Sequence, residues 1–137
     1  MALFYCDASA LVKLVRDEPE TSSLRTYLAD ADLVACELVL TEIPRASRRA
    51  AAHDPRLPLE RLLQRADELL DAVALLPVDH VLLAAAGAIT EPALRALDAI
   101  HVCAATDLSP LDAFVTYDER QAAAARLAGL RTAAPGI

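Results

Sequence analysis

The sequence predicts an α/β fold, in which helices cover both faces of a parallel sheet. Short apolar segments of strand length alternate along the chain with segments whose apolar residues recur at helical spacing. Hydrophobic residues make up 55% of the chain and charged residues 24%, which is enough to fill a core and too apolar for a disordered chain. The length of 137 residues is typical of one domain, so we expect a single domain over 1–137.

The chain opens with an apolar segment that ends at an acidic residue. Residues 2–6 predict a buried strand, and Asp7 then begins a helix that runs to about Arg16. A second helix follows Pro19 and turns three side chains inward: Leu24, Tyr27 and Leu28. A strand followed by helices is typical of the first unit of an α/β fold.

The second unit combines a strand over 33–36 with a helical region that runs to His53. Pro44 interrupts this region, because proline lacks a backbone N–H and disfavours helical conformation at the preceding residue. The helix is therefore expected either to begin near Thr41 or to kink at Pro44, and the sequence leaves both alternatives open.

Two further units complete the alternation. Helical spacing over 59–70 precedes a strand over 73–76, and Asp79 can cap a helix over 81–90. Pro92 allows a new helix that runs to Thr106.

The last unit begins with a strand over 113–117. Residues 118–121 resemble a capping box that opens a helix, and Gly129 ends it before a strand over 130–132.

Composition excludes several classes of site. Only three glycines are present, so there is no Gly-rich phosphate loop. Three widely spaced cysteines in apolar surroundings indicate buried thiols rather than a disulfide or a zinc site: Cys6, Cys36 and Cys103. The N-terminus has no signal-peptide pattern and no apolar segment is long enough to span a membrane, so we expect a cytoplasmic protein.

The net charge of −7 is unevenly distributed. Six arginines lie between residues 44 and 65 with only two acidic residues, namely Arg45, Arg48, Arg49, Arg56, Arg61 and Arg65. This segment is either a solvated helical face or a basic surface that binds anions.

Four carboxylates are the candidates for chemistry. Asp7 and Asp118 follow the first and fourth strands, at the edge where parallel sheets bind ligands, although either side chain alone is explained by helix capping. Asp98 lies in an apolar helical segment, so it needs a partner, which is His101, an arginine or a cation. Glu42 alone would pass as an exposed helical acid. If the four converge, a divalent cation must neutralise them, and oxygen ligands suit Mg²⁺ or Mn²⁺.

Four segments in this order resemble the PIN domain, and in particular the VapC-type toxins of bacterial toxin–antitoxin pairs. They are Tyr5-Cys6-Asp7-Ala8-Ser9-Ala10-Leu11, Leu40-Thr41-Glu42-Ile43, Leu97-Asp98-Ala99-Ile100-His101 and Val115-Thr116-Tyr117-Asp118. The resemblance spans essentially the whole chain. It implies a five-stranded parallel sheet flanked by helices and a Mg²⁺- or Mn²⁺-dependent endoribonuclease.

By this resemblance the metal and catalytic residues are Asp7, Glu42, Asp98 and Asp118, with Ser9 and Thr116 as supporting hydroxyls. The metal would activate the water that attacks RNA, without a covalent enzyme intermediate. The resemblance also implies a homodimer and a VapB-like antitoxin as partner.

Pro44 departs from the pattern close to Glu42, which makes the orientation of that carboxylate the open point. Three arginines, Arg45, Arg48 and Arg49, would bind RNA phosphates or acidic antitoxin residues. His101 would pack beside the site.

Three alternatives remain. The protein could be a PIN nuclease of RNA processing without an antitoxin, or a PIN-like pseudoenzyme that only binds a partner. The third is a receiver domain, which also has aspartates at strand ends but needs a late lysine, and the only lysine here is Lys13.

Overall fold

Five parallel strands form the central sheet of the computed structural model, which describes residues 1–137. In chain order they are β1 (Leu3–Cys6), β2 (Asp32–Cys36), β3 (Ala74–Leu76), β4 (Ala113–Val115) and β5 (Thr132–Ala133). Their spatial order is β3-β2-β1-β4-β5, and each neighbouring pair is parallel. The predicted α/β class and five-stranded parallel sheet are confirmed. The order differs from the 2-1-3-4-5 arrangement of receiver domains, which excludes that alternative.

Seven helices connect the strands: α1 (Ala8–Val15), α2 (Thr21–Leu28), α3 (Val39–His53), α4 (Leu59–Ala72), α5 (His80–Gly87), α6 (Ala96–Asp107) and α7 (Glu119–Leu127). Helices α1 to α4 contribute to one hydrophobic cluster, and α5 to α7 contribute to a second one. None of the helices has the length and apolar character required to cross a lipid bilayer.

Strand β1 explains why both faces of the sheet must be covered. Phe4 and Cys6 belong to one cluster and Tyr5, between them, belongs to the other, because successive side chains of a strand point to opposite faces. All three side chains are buried, and Tyr5 stacks on Phe114 of β4 with ring centroids 5.2 Å apart. A central strand that is apolar on both faces is characteristic of parallel sheets.

The chain changes direction across the sheet between β1 and β4, which places a ligand-binding crevice at their carboxyl ends. Cys6 pairs with Val115, the last residues of these two strands, and the N–H of Asp7 donates to the Val115 carbonyl at 3.2 Å. Asp7 and Thr116 therefore leave the sheet side by side.

Helix α3 includes Pro44 and begins two residues before the start that the first alternative gives. It begins at Val39, before Thr41, and continues through Pro44 to His53. Pro44 is the sixth helical residue, so it removes only one intrahelical hydrogen bond, and the buried Ile43 anchors that turn in the core. Glu42 consequently has a defined helical orientation.

The helix expected from Pro92 begins instead at Ala96. Glu91 holds a turn over the intervening residues, because its side chain accepts from the Ala93 N–H at 3.2 Å and its carbonyl accepts from the Leu94 N–H at 3.2 Å. Asp98 is thereby a first-turn residue of α6, where the helix dipole favours a negative charge, and it has no helical neighbour one turn earlier. It is half-buried rather than enclosed by apolar side chains. The preceding helix, α5, ends at Gly87 instead of Thr90.

The end of α7 displaces the last strand along the chain. Gly129 has a φ of +89°, the N–H of Leu130 bonds to the Ala125 carbonyl, and the N–H of Gly129 bonds to the Arg126 carbonyl. These bonds form a Schellman motif that takes Leu130 out of the sheet, so β5 begins at Thr132 rather than at Leu130.

The inward face of α2 also differs in part from the prediction. Leu24 and Leu28 are buried, whereas Tyr27 is exposed and stacks on Phe4 of the central strand.

Candidate functional site

Asp7 lies at the centre of the crevice and is 2% exposed. Its Oδ1 accepts from the Ser9 hydroxyl at 2.6 Å and from the Ala10 N–H at 3.1 Å, and its Oδ2 accepts from the Thr116 hydroxyl at 2.6 Å. The contact with Ala10 is the N-cap of α1, so Asp7 both caps a helix and faces the crevice. The two hydroxyls expected to support the site therefore both contact this carboxylate.

Backbone donors hold the two hydroxyls in place. The N–H of Tyr117 donates to the Ser9 hydroxyl at 2.9 Å, and the N–H of Asp118 donates to the Thr116 hydroxyl at 3.1 Å. Since each hydroxyl accepts a backbone bond, its own hydrogen is directed to Asp7. The segment that follows β4 thus fixes the orientation of the buried carboxylate.

Asp118 is the N-cap of α7, as the sequence predicts. Its Oδ1 accepts from the N–H groups of Arg120 at 2.9 Å and of Gln121 at 3.3 Å. The reciprocal half of a capping box is missing, because the N–H of Asp118 bonds to Thr116 and not to the Gln121 side chain.

Gln121 brings Asp98 into contact with Asp7. Its side-chain nitrogen donates to Oδ2 of Asp7 at 2.9 Å and to Oδ1 of Asp98 at 3.2 Å. This amide orientation follows from the partners, because both carboxylate oxygens are acceptors. Asp98 was expected to pair with His101, an arginine or a cation, and within the protein its partner is instead Gln121.

His101 is the partner of Glu42. Its Nε2 lies 2.6 Å from Oε1 of Glu42, and its Nδ1 lies 2.8 Å from the hydroxyl of Tyr5. His101 is 1% exposed, whereas the side chain of Glu42 retains 20% exposure at the edge of the crevice. His101 is buried beside the candidate residues, as expected, and it also binds one of the four candidate carboxylates.

Cys36, His101 and Glu42 together resemble a thiol–imidazole–carboxylate triad. The Cys36 sulfur lies 3.6 Å from Nδ1 of His101. Burial alone would raise the pKa of this thiol, but its contacts with His101 and Tyr5 outweigh burial and lower it. Cys36 is nevertheless 0% exposed, so no substrate reaches its sulfur. This geometry excludes Cys36 as a nucleophile. The expectation of buried thiols is met by Cys6 and Cys36, whereas Cys103 is only partly buried.

The carboxylates of the crevice are electrostatically coupled. Burial raises the pKa of Asp7 above its usual range, and the hydrogen bonds from Ser9 and Thr116 oppose this shift. Burial also raises the pKa of Asp98, and the negative charges of Asp118 and Glu42 add to that shift. A site in which neighbouring charges repel one another favours a bound cation.

The donor set of the crevice fits a hard divalent cation. Its candidate ligands are carboxylate oxygens, the type that Mg²⁺ and Mn²⁺ prefer. No three His, Cys, Asp or Glu side chains stand close enough together to form a ready-made metal site. The amide of Gln121 lies between two of the carboxylates.

A cavity of about 490 Å³ opens beside the crevice, between α1 and α3. Ser9 and Glu42 line it on the side of the carboxylates, and Arg45 and Arg49 provide positive charge, whereas the charge of Lys13 is paired with Glu18 and Glu20. Arg45 and Arg49 are one helical turn apart and face the same side of α3. Arg48, which the sequence groups with them, is exposed but does not line this cavity.

Sequence reasoning missed the roles of two residues. Gln121 was interpreted as part of a capping box and His101 as packing, because the polar partners of both side chains lie far away in the sequence. The available signal was a polar side chain at a position that the helical pattern predicts to be buried, a placement that requires hydrogen-bond partners.

Comparison with known proteins agrees with this architecture. Residues 4–127 match the PIN domain family. The chain is 37% identical to "Ribonuclease VapC47" of Mycobacterium tuberculosis (strain CDC 1551 / Oshkosh) over 98% of each chain. It is 38% identical to "Ribonuclease VapC46" of M. tuberculosis (strain ATCC 25618 / H37Rv), over 98% of this chain and 99% of the relative.

A solved structure shares the fold. PAE2754 from Pyrobaculum aerophilum superposes with a TM-score of 0.65 at 20% identity, over 96% of this chain and 83% of that protein. The sequence matches extend over nearly the full length of both partners, and the family match includes all four candidate carboxylates. The chain therefore belongs to the PIN domain family and, within it, to the VapC-type proteins.

Proposed function

We propose that this protein is an endoribonuclease that depends on Mg²⁺ or Mn²⁺ and acts as the toxin of a VapBC-type toxin–antitoxin pair. Asp7, Glu42, Asp98 and Asp118 would hold the metal, with Ser9 and Thr116 as supporting hydroxyls. The proposed catalytic domain occupies residues 1–137. The observation that carries the proposal is the buried Asp7, oriented at the carboxyl end of the central strand, in a chain similar over its full length to proteins named ribonucleases.

Neighbouring groups of the protein orient three of the four candidate carboxylates. Ser9, Thr116 and the Ala10 N–H contact both oxygens of Asp7, so that this buried carboxylate keeps one orientation. His101 contacts Oε1 of Glu42 at 2.6 Å and so holds that carboxylate in place. Asp118 is held by the first turn of α7. When bound, the metal supplies positive charge that stabilises negative charge on a phosphodiester and increases the acidity of water.

RNA cleavage by the purified protein tests the proposal. We expect discrete products from total RNA in the presence of Mg²⁺ or Mn²⁺ and none in the presence of a chelator, because the acidic crevice cannot bind a phosphodiester without a cation. The same preparation of an Asp98→Asn variant controls for contaminating nuclease. Cleavage that persists at full rate in chelator would refute the metal-dependent mechanism.

The two arginines of the cavity are expected to bind RNA phosphates. Replacing Arg45 and Arg49 by Gln should weaken RNA binding and reduce the slope of log K against log salt by about 1.4, since each phosphate contact to a single strand contributes about 0.7. Fluorescence anisotropy over a salt series, with Ca²⁺ in place of the active metal, measures this slope.

A matched control for that experiment removes the same charge elsewhere. Arg61 and Arg131 are exposed and do not line the cavity, so replacing both by Gln should change the slope much less. Equal slopes for the two double variants would show that Arg45 and Arg49 form a solvated helical face and do not contact RNA phosphates.

A VapB-like antitoxin, a homodimer and a cytoplasmic location are part of the same proposal, and its support is the similarity to VapC relatives. The alternative activity is RNA processing without an antitoxin. A VapB-like reading frame adjacent to the gene and co-purification of its product would favour the toxin; cleavage of RNA with no such neighbour would favour the processing nuclease. The pseudoenzyme alternative is disfavoured by the four acidic residues, all of which are present.

A further inference from the structure

Gln121 is a buried polar side chain that the folding of α7 does not require. It is the third residue of that helix and is 2% exposed. In a capping box its side chain would return to the N–H of Asp118, but Thr116 already accepts that bond at 3.1 Å. The side chain instead extends into the crevice.

The amide of Gln121 connects two negatively charged residues that come from different parts of the fold. Asp7 follows β1, and Asp98 lies in the first turn of α6. Both hydrogens of the side-chain nitrogen are used, at 2.9 Å and 3.2 Å. A neutral amide can satisfy both carboxylates but cannot neutralise their charge.

Asp7 has no free position for a further ligand. A carboxylate accepts about four hydrogen bonds, and Asp7 accepts four in this structure, from Ser9, Ala10, Thr116 and Gln121. The Ala10 N–H belongs to the helix cap, and each hydroxyl is anchored by a backbone N–H. The Gln121 nitrogen has no anchor beyond the two carboxylates. It is therefore the donor that a cation would displace.

We propose that Gln121 occupies, in the metal-free protein, the place between Asp7 and Asp98 that a divalent cation takes, and that metal binding displaces it. This inference rests on the proposed function. Gln121 is then a positioning residue that keeps the two carboxylates together without metal and lowers the affinity for metal, because two charge-assisted hydrogen bonds must break.

The test is an isothermal calorimetric titration of the protein with Mn²⁺ alone. It is carried out at about pH 8, where protons compete little with metal for carboxylates. Gln121→Met keeps the length of the side chain and removes the donor. We expect Mn²⁺ to bind this variant about tenfold more tightly than the wild type, since the hydrogen bonds to charged groups no longer oppose binding. The metal-free variant should melt at a lower temperature, and Mn²⁺ should raise its melting temperature by more than in the wild type.

Gln64→Met is the matched control, because Gln64 is the other glutamine of the chain and lies exposed on α4. It should bind Mn²⁺ as the wild type does. An unchanged or weaker affinity of Gln121→Met, with normal binding by the wild type, would overturn the inference and leave the proposed function intact. If neither the wild type nor any folded variant binds Mn²⁺, both the metal-dependent function and this inference are refuted.

A folding defect of Gln121→Met would also be informative. If the metal-free variant is unfolded, Mn²⁺ should restore the native circular dichroism spectrum, because the cation replaces the missing bridge. A variant that stays unfolded at saturating Mn²⁺ would show that Gln121 serves packing, and would overturn the inference.

Discussion

Asp98→Asn is expected to lower RNA cleavage by at least about 1000-fold while the chain remains folded. Asparagine keeps the shape of the side chain and can still accept from Gln121, but it removes one of the negative charges that would bind the metal. Burial and the charges of Asp118 and Glu42 raise the pKa of Asp98, so its ionised form is disfavoured in the metal-free protein. The melting temperature of the metal-free variant should therefore be equal to that of the wild type or higher.

Single-turnover cleavage and calorimetric melting, measured on the same samples, check both parts of this prediction. Asp107→Asn is the matched control, because Asp107 is the exposed last residue of the same helix. This substitution changes the net charge by the same amount but at the other end of the helix. That variant should cleave normally. Full activity of Asp98→Asn would remove Asp98 from the proposed metal ligands, and a marked loss of stability would indicate that its charge is already well satisfied by the protein.

The fold could be predicted from the sequence because its signals are local. Alternating strand and helix segments, Asp7 and Asp79 as helix caps, and Gly129 as a helix end all depend on residues within one or two turns. The errors arose where a local hydrogen-bonded turn shifted an element. Glu91 delays the start of α6, and the Schellman motif at Gly129 delays β5. Neither turn changes the pattern of apolar residues, which is the main basis of prediction.

The site could be predicted only in part, since partner choice depends on packing between distant elements. The aspartates after β1 and β4 were predicted to lie at the same edge of the sheet, because parallel strands place their carboxyl ends together. The pairing of Glu42 with His101 joins residues 59 positions apart, and the contacts of Gln121 join α7 to both β1 and α6. His101 was expected near Asp98 by helical spacing, but its ring points to Glu42 on another helix.

His101→Leu is expected to lower the free energy of unfolding by about 3 kcal/mol and to reduce cleavage. Leucine fills roughly the same space as histidine but leaves Glu42 without its partner. It also removes one of the two contacts of the Tyr5 hydroxyl. Breaking a buried pair costs about 3–5 kcal/mol, and the 20% exposure of the Glu42 side chain places this case at the lower end. Urea unfolding measures the change, and cleavage at saturating Mn²⁺ measures the effect on activity.

A double variant separates the loss of the pair from the loss of packing. Glu42→Met in the His101→Leu background removes the carboxylate that was left unpaired, so the double variant should be more stable than His101→Leu alone. If it is less stable, His101 contributes through packing against Tyr5, and the fixed orientation of Glu42 has another cause. Glu42→Gln alone retains an acceptor for Nε2 of His101 but removes the negative charge that faces this buried imidazole, so it should lower stability by less than His101→Leu does while it lowers cleavage. Together the three variants distinguish a carboxylate oriented for metal from one that only stabilises the fold.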